Sequence, residues 1–294
     1  MYLNHWKLKR RPFDDRFDPR EFFAAGSHKQ VLTQLSRFVR EGRALAVLAG
    51  GAGAGKSTVV AVLNDDLDTM RHPVVWVRVA PCFALDVLRE TTEQLQDPAD
   101  RRRIGASSLA DLSVQLQNHL LHRRTVGQHP VLFVDAADNL CDRELRSLIN
   151  ASRQFEIDGS PAITVVLVGS CELLLKARRL SERYDQPIAH WILDPLAASE
   201  TRVYVEQRVR RAGGDHSIFS KGALELLHEL SGGVPRRINR LCDLCLLTAF
   251  AQECEQIAEN HVWAAQTELR LFGSTRTAML PATHRWRRIQ RSSC

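Results

Sequence analysis

The sequence lacks any long hydrophobic run. Its best, "ITVVLVG" at 163–169, has seven residues, where a membrane-spanning helix needs about 20. The N-terminal "MYLNHWKLKRRPFDD" is basic but has no apolar core, so it does not read as a secretory leader. A disulfide framework is missing too: the seven cysteines are scattered and odd in number, which suits a reducing compartment. There is no internal repeat and no low-complexity tract. From Leu269 to Cys294 there is no acidic residue at all, although six arginines stand there (270, 276, 285, 287, 288 and 291). These absences predict a soluble, cytoplasmic chain.

What is present fits that class. A hydrophobic content of 44% and a charged content of 25% are ordinary for a globular protein. The 294 residues allow one large domain with an accessory lobe, or two small domains. The net charge of +6 comes from 40 basic and 34 acidic residues. Setting aside the six arginines of the last segment leaves 34 of each, so the body is neutral and the excess lies at the C-terminal end. Such a segment either attracts an acidic partner, DNA or an anionic membrane surface, or is simply a solvated end.

Five runs rich in β-branched and apolar residues read as strands: 44–49, 73–80, 130–136, 163–169 and 187–193. Helical patterns separate them, among them 57–70 and 107–124. Near-continuous apolar strands alternating with helices predict a parallel sheet covered on both faces. After about residue 195 only helices follow. "SETRVYVEQRVRRAGG" (199–214) ends in a Gly-Gly stop, and Ser220 can cap the next helix. Pro235 opens a further helix, with Ile238, Leu241, Cys242, Cys245, Leu246 and Ala249 on one apolar stripe. The Cys-x-x-Cys within that stripe has no second pair, so it reads as buried core rather than a metal or redox centre. The expected organisation is an N-terminal segment over 1–43, an α/β domain over 44–195, a helical lobe over 196–270 and a basic tail over 271–294.

The strongest motif is "GGAGAGKS" at 50–57, which fits G-x-x-x-x-G-K-[ST] between a strand and a helix. Gly50, Gly51, Ala52, Gly53, Ala54 and Gly55 let the backbone wrap close to phosphate at a helix start, with Lys56, Ser57 and Thr58 following. Lys56 offers charge to β- and γ-phosphates, and the Ser57 hydroxyl can ligate Mg²⁺. Asp135 ends the strand in "VLFVDAADNL" and can hold the same ion through water. The next residue, often a water-activating glutamate, is Ala136; Asp138 follows two residues on. Ser170, just beyond the strand 163–169, sits where ligands of open sheets gather, or caps a helix. Arg236 could reach a phosphate, or be surface charge. ATP and Mg²⁺ are the cofactors these residues predict.

The opening "MYLNHWKLKRRPFDDRFDPREFF" resembles the start of the general secretion pathway protein A family, the ExeA-type AAA+ ATPases. "GGAGAGKST", "VLFVDAADNL", "VVLVGSCELL", "LSERYDQPI", "LDPLAASETRVYVEQRVRRAGG" and "SGGVPRRINRLCDLCLLTAFA" resemble successive family segments, over about residues 1–255. The resemblance implies a P-loop AAA+ fold: a five-stranded parallel sheet between helices, a helical lid, and ATP bound between subunits of a homo-oligomer. It makes Ser170 the sensor-1 polar residue, Arg236 the sensor-2 arginine and Arg183 an arginine finger, with Arg178 and Arg179 as alternatives. Two substitutions depart from the family: Ala136 stands where it has glutamate, and Ser170 where it usually has glutamine. No stretch resembles the family's transmembrane segment or peptidoglycan-binding domain. The expected function is nucleotide-driven change of lid position and assembly, coupled to an unknown protein partner in secretion or envelope machinery. The alternatives are a DNA-associated accessory ATPase such as a transposition helper, and a non-hydrolysing switch. Asp138 is a candidate substitute for the absent base.

Overall fold

Runs in which β-branched residues dominate lose little side-chain freedom in a pleated strand and pack well on both faces. In a computed structural model, which describes residues 2–14, 19–79, 84–96, 108–157, 159–182 and 188–273, these runs form one five-stranded sheet. Its strands are β1 (Leu45–Gly50), β2 (Val74–Arg78), β3 (Val131–Asp135), β6 (Thr164–Gly169) and β7 (Ala189–Leu193), in the order β2-β3-β6-β1-β7. All four pairings are parallel. The five strands coincide with the five expected runs. Two short strands, β4 (Glu156–Ile157) and β5 (Ser160–Pro161), form a separate antiparallel hairpin that no periodicity announces.

Successive side chains of a strand point to opposite faces, and the sheet sorts them accordingly. Val47, Ala49, Leu132, Val134, Val165 and Leu167 face one core, with helices α4 (Ala84–Leu95), α5 (Leu109–Thr125), α6 (Asp142–Gln154) and α7 (Cys171–Glu182). Leu48, Phe133, Val166 and Val168 face the other, under α2 (Gly26–Arg40) and α3 (Lys56–Asp66). β1, β3 and β6 are buried throughout. They are also neighbours, so the segments leaving their carboxyl ends lie side by side. That adjacency places the site.

The helical lobe comprises α8 (Ala198–Arg211), α9 (Lys221–Ser231), α10 (Pro235–Ala251) and α11 (Glu259–Gly273). Ser220 caps α9 by accepting from the Ala223 N–H, and Pro235 is in the first turn of α10. All six residues of the expected stripe on α10 are buried. Burial raises the Cys245 thiol to about 12 and pushes Cys242 well above the ordinary thiol range. Both are protonated core residues. Among the described residues no cluster of three metal-ligating side chains exists, and no helix is long and apolar enough to cross a membrane.

The chain's first residues belong to this lobe. Tyr2, Trp6, Leu8 and Phe13, from α1 (Tyr2–His5) and the turn after it, are buried in the lobe's core. Trp6 Nε1 donates to the Leu246 carbonyl at 3.1 Å, and His5 Nε2 pairs with the Cys254 carbonyl at 2.8 Å. Phe22 packs against the sheet-side core, and from Gly26 the chain runs along the sheet as α2. One carboxylate helps tie that crossing down: Glu200 of α8 accepts from the Gly26 N–H at 2.8 Å and the Ala197 N–H at 2.9 Å.

Candidate functional site

The loop 50–57 joins the buried end of β1 to the first turn of α3. Two of its glycines have backbone that L side chains rarely adopt, Gly53 at φ 83° and Gly55 at φ 100°. A Cβ at Gly53 would stand 2.7 Å from the Cβ of Arg236, so glycine is what lets α10 dock on the loop. The Ala54 N–H closes a turn on the Gly51 carbonyl at 3.2 Å. Gly51 and Ala52 are exposed, and Thr58 is half-buried in the first turn of α3.

Lys56 folds back over the loop, its Nζ donating to the carbonyls of Gly50 at 2.7 Å and Gly51 at 2.9 Å. Burial lowers its pKa; Asp138 and then Asp135 oppose that shift, and Arg236 adds to it. Lys56 thus lies within electrostatic reach of both carboxylates and the lobe's arginine. The Ser57 hydroxyl donates to Asp135 Oδ2 at 3.0 Å across 78 residues of sequence, and the Ala136 N–H holds Oδ1 at 2.9 Å. Asp135 is 8% exposed. Two hard oxygen donors at the edge of a phosphate-type loop match magnesium, which takes few protein ligands and leaves the rest to phosphate and water.

Ala136 lies in the left-handed region, at φ 55° and ψ 38°, where a non-glycine residue stores backbone strain. The chain reverses there into a short 3₁₀ turn, Ala137–Asn139, that swings Asp138 toward β6. The Asp138 carboxylate accepts from the Ser170 backbone N–H at 3.0 Å and also from the Ser170 hydroxyl. The hydroxyl oxygen in turn accepts from the N–H of Glu172 at 3.1 Å and of Leu173 at 3.4 Å. Ser170 is therefore a helix cap as well as a residue at the sheet's carboxyl edge. Gly169 permits the approach: a Cβ there would be 2.5 Å from Asp138 Oδ2.

Arg236 enters from the lobe, its N–H donating to the Gly53 carbonyl at 3.3 Å. The structure thus gathers Gly50–Thr58, Asp135, Asp138, Ser170 and Arg236 into one locality. Arg183 lies outside the described residues. Arg178 pairs with the His190 ring through its guanidinium, and Arg179 is exposed in the last turn of α7.

One residue at this site carries no motif. His28, in the first turn of α2, is 4% exposed, and its Nε2 lies 2.8 Å from the Ala54 carbonyl within the phosphate-type loop. A carbonyl only accepts, so Nε2 carries the proton and Nδ1 is left to accept from the Ser27 hydroxyl, 3.2 Å away. Burial lowers the His28 pKa, in keeping with a neutral ring. Its sequence signal is one histidine beside a serine at a helix start, 26 residues from its partner, which no spacing rule singles out.

Residues 39–176 match the family described as AAA domain. Over 274 residues, 92% of this chain, the sequence is 31% identical to general secretion pathway protein A of Aeromonas hydrophila, and it spans 48%, about half, of that protein's length. Among solved structures, the ORC2 protein of Aeropyrum pernix in its ADPNP-ADP complexes superposes with a TM-score of 0.66 at 17% identity, over 88% of this chain and 72% of that one. The ORC1 protein of the same organism, in complex with DNA, gives 0.62 at 18% identity, over 94% and 72%. RuvB of Thermotoga maritima gives 0.54 at 16% identity, over 90% and 74%. At these identities the structural likeness is one of fold. The chain carries an AAA domain on a P-loop NTPase fold with a helical C-terminal part, and its sequence is similar to that of general secretion pathway protein A.

Proposed function

We propose that the chain binds Mg·ATP at the loop 50–57 and uses the nucleotide state to set the position of its helical lobe. The observation that carries this reading is the Ser57–Asp135 hydrogen bond, which joins the phosphate-type loop to the acid ending β3. Ser57 and Asp135 would hold Mg²⁺, backbone N–H groups of the loop and Lys56 would hold the phosphates, and Arg236 would report on them from the lobe. The bound ion supplies charge neutralisation at the phosphates. Hydrolysis on this reading is slow, because the side chain after Asp135 is a methyl group that can neither accept a proton nor orient water.

A AAA domain similar to one from a secretion protein supports a cytoplasmic homo-oligomer with ATP at its subunit interfaces, driving an envelope or secretion partner. Arg183, or Arg178 or Arg179, would supply the neighbouring subunit's finger. A second reading, a DNA-associated ATPase, is favoured by the acid-free segment 269–294 with its six arginines. Salt-dependent DNA retention that disappears on deletion of residues 274–294 would select it.

The direct test is Lys56→Ala. Wild type should gain thermal stability with Mg·ATP, since a ligand that binds only the folded state raises the melting temperature. The variant should show no shift. A wild-type shift in Lys56→Ala would refute the assignment of the loop.

A further inference from the structure

The phosphate-type loop is braced from behind by a residue outside every motif. We infer that His28 is a positioning residue for nucleotide binding: its Nε2–H holds the Ala54 carbonyl and thereby aims the N–H of Gly55 away from α2, toward the phosphates. The inference deepens the ATP-binding reading and rests on it.

The geometry follows from the planarity of the peptide bond. In a trans peptide the C=O and N–H point in opposite directions, so fixing one fixes the other. The Ala54–Gly55 peptide needs such fixing, because Gly53 and Gly55 are both in left-handed backbone and glycine offers little intrinsic resistance to a peptide flip. His28 resists it in two ways. Its Nε2–H engages the carbonyl at 2.8 Å, and its ring backs directly onto Gly55, where a Cβ would meet Nε2 at 3.3 Å. Both partners are buried, His28 at 4% and Ala54 at 1% exposure, so a flipped carbonyl could not recover its hydrogen bond from water at that place.

The ring is held in its own turn. The Ser27 hydroxyl donates to Nδ1, which keeps the proton on Nε2, and Phe22 lies against the ring at 6.5 Å between centroids. The first turn of α2 is tied to the lobe through the Gly26–Glu200 hydrogen bond. The histidine therefore stands between the lobe and the loop, and a lobe displaced from its present position would act on the loop through it.

The test compares His28→Leu, which removes the donor, with His28→Gln, whose amide nitrogen reaches about as far as Nε2. ADP and Mg·ATP affinities would be measured by calorimetry, and apo melting temperatures would establish folding. His28→Leu is expected to fold and to bind ADP at least about tenfold more weakly than wild type, the scale of one buried hydrogen bond. His28→Gln should stay within about threefold. Equal weakening in both variants would reduce His28 to packing and overturn the inference, as would wild-type affinity in His28→Leu. Wild-type protein that binds neither nucleotide would instead overturn the ATP-binding reading, and this one with it.

Discussion

At the residue scale the chemistry turns on Ala136 and Asp138. Alanine and glutamate carry the same Cβ, so both bear about the same strain in the left-handed region, and Ala136→Glu should not unfold the turn. It should raise ATP turnover at least ~10-fold, the lower range for a general base, with little change in ATP affinity; steady-state phosphate release measures it. Asp138 has partners of its own: its carboxylate accepts from both the backbone and the hydroxyl of Ser170, and we propose that it orients Ser170 instead of serving as the base. Asp138→Asn keeps an acceptor oxygen and loses the base. It should retain most of the wild-type turnover, whereas loss equal to that of Asp138→Ala would restore Asp138 to the base role.

At the scale of elements, two narrow points near the junction of the lobe and the sheet are each open to a single substitution. The first is the Gly-Gly turn before α10. Gly233 has φ 70°, and a Cβ on it would lie 2.1 Å from the Leu196 carbonyl oxygen, while its own carbonyl accepts from the Leu196 N–H at 2.9 Å. Backbone cannot retreat as a side chain can. Gly233→Ala should therefore destabilise by about 2 kcal/mol or more, read from urea midpoints. The second point is Glu200, whose two oxygens serve the starts of α2 and α8. Those two backbone N–H bonds, Ala197 first, lower its pKa. Glutamine has one acceptor oxygen and sets an N–H against the other donor, so Glu200→Gln should lose about 1 kcal/mol. Limited proteolysis should show the lobe opening before the sheet.

For the molecule as a whole, half-buried and buried histidines make stability depend on pH. His129 is shifted down to about 4 from 6.5, by burial first, then by His72 and Arg124. Its Nε2 donates to Thr164 Oγ1 at 2.8 Å, since that hydroxyl already donates to the Arg43 carbonyl. His28 is shifted the same way, by burial first, against the opposing pull of its Ala54 bond and of Glu200 and Asp194. The folded state keeps such rings neutral, while the unfolded chain takes up protons near 6.5. Their stabilisation is therefore complete above 6.5 and is lost as pH falls through the folded values, for His129 between 6.5 and about 4. Melting temperatures should fall across that window, and His129→Gln should flatten the fall.

The sequence by itself determined the five strands, their parallel pairing, the phosphate-type loop, the acid at the end of β3 and the apolar face of α10. Each is a local pattern: an unbroken β-branched and apolar run, a glycine spacing before Lys56-Ser57, a stripe at helical spacing. Strand order did not follow from these patterns: crossover helices and unbroken apolar runs leave several parallel arrangements, and the fold chose β2-β3-β6-β1-β7. What only the tertiary structure decided involves partners far apart in the chain. Residues 2–14 carry an aromatic pattern that any core would accept, and folding chose the lobe. Asp138 read as a candidate base, and only the turn at Ala136 shows that it meets Ser170, 32 residues away. His28 has no local pattern, because its meaning is a hydrogen bond to a carbonyl, and every residue has a carbonyl. Which one it meets is a property of the fold.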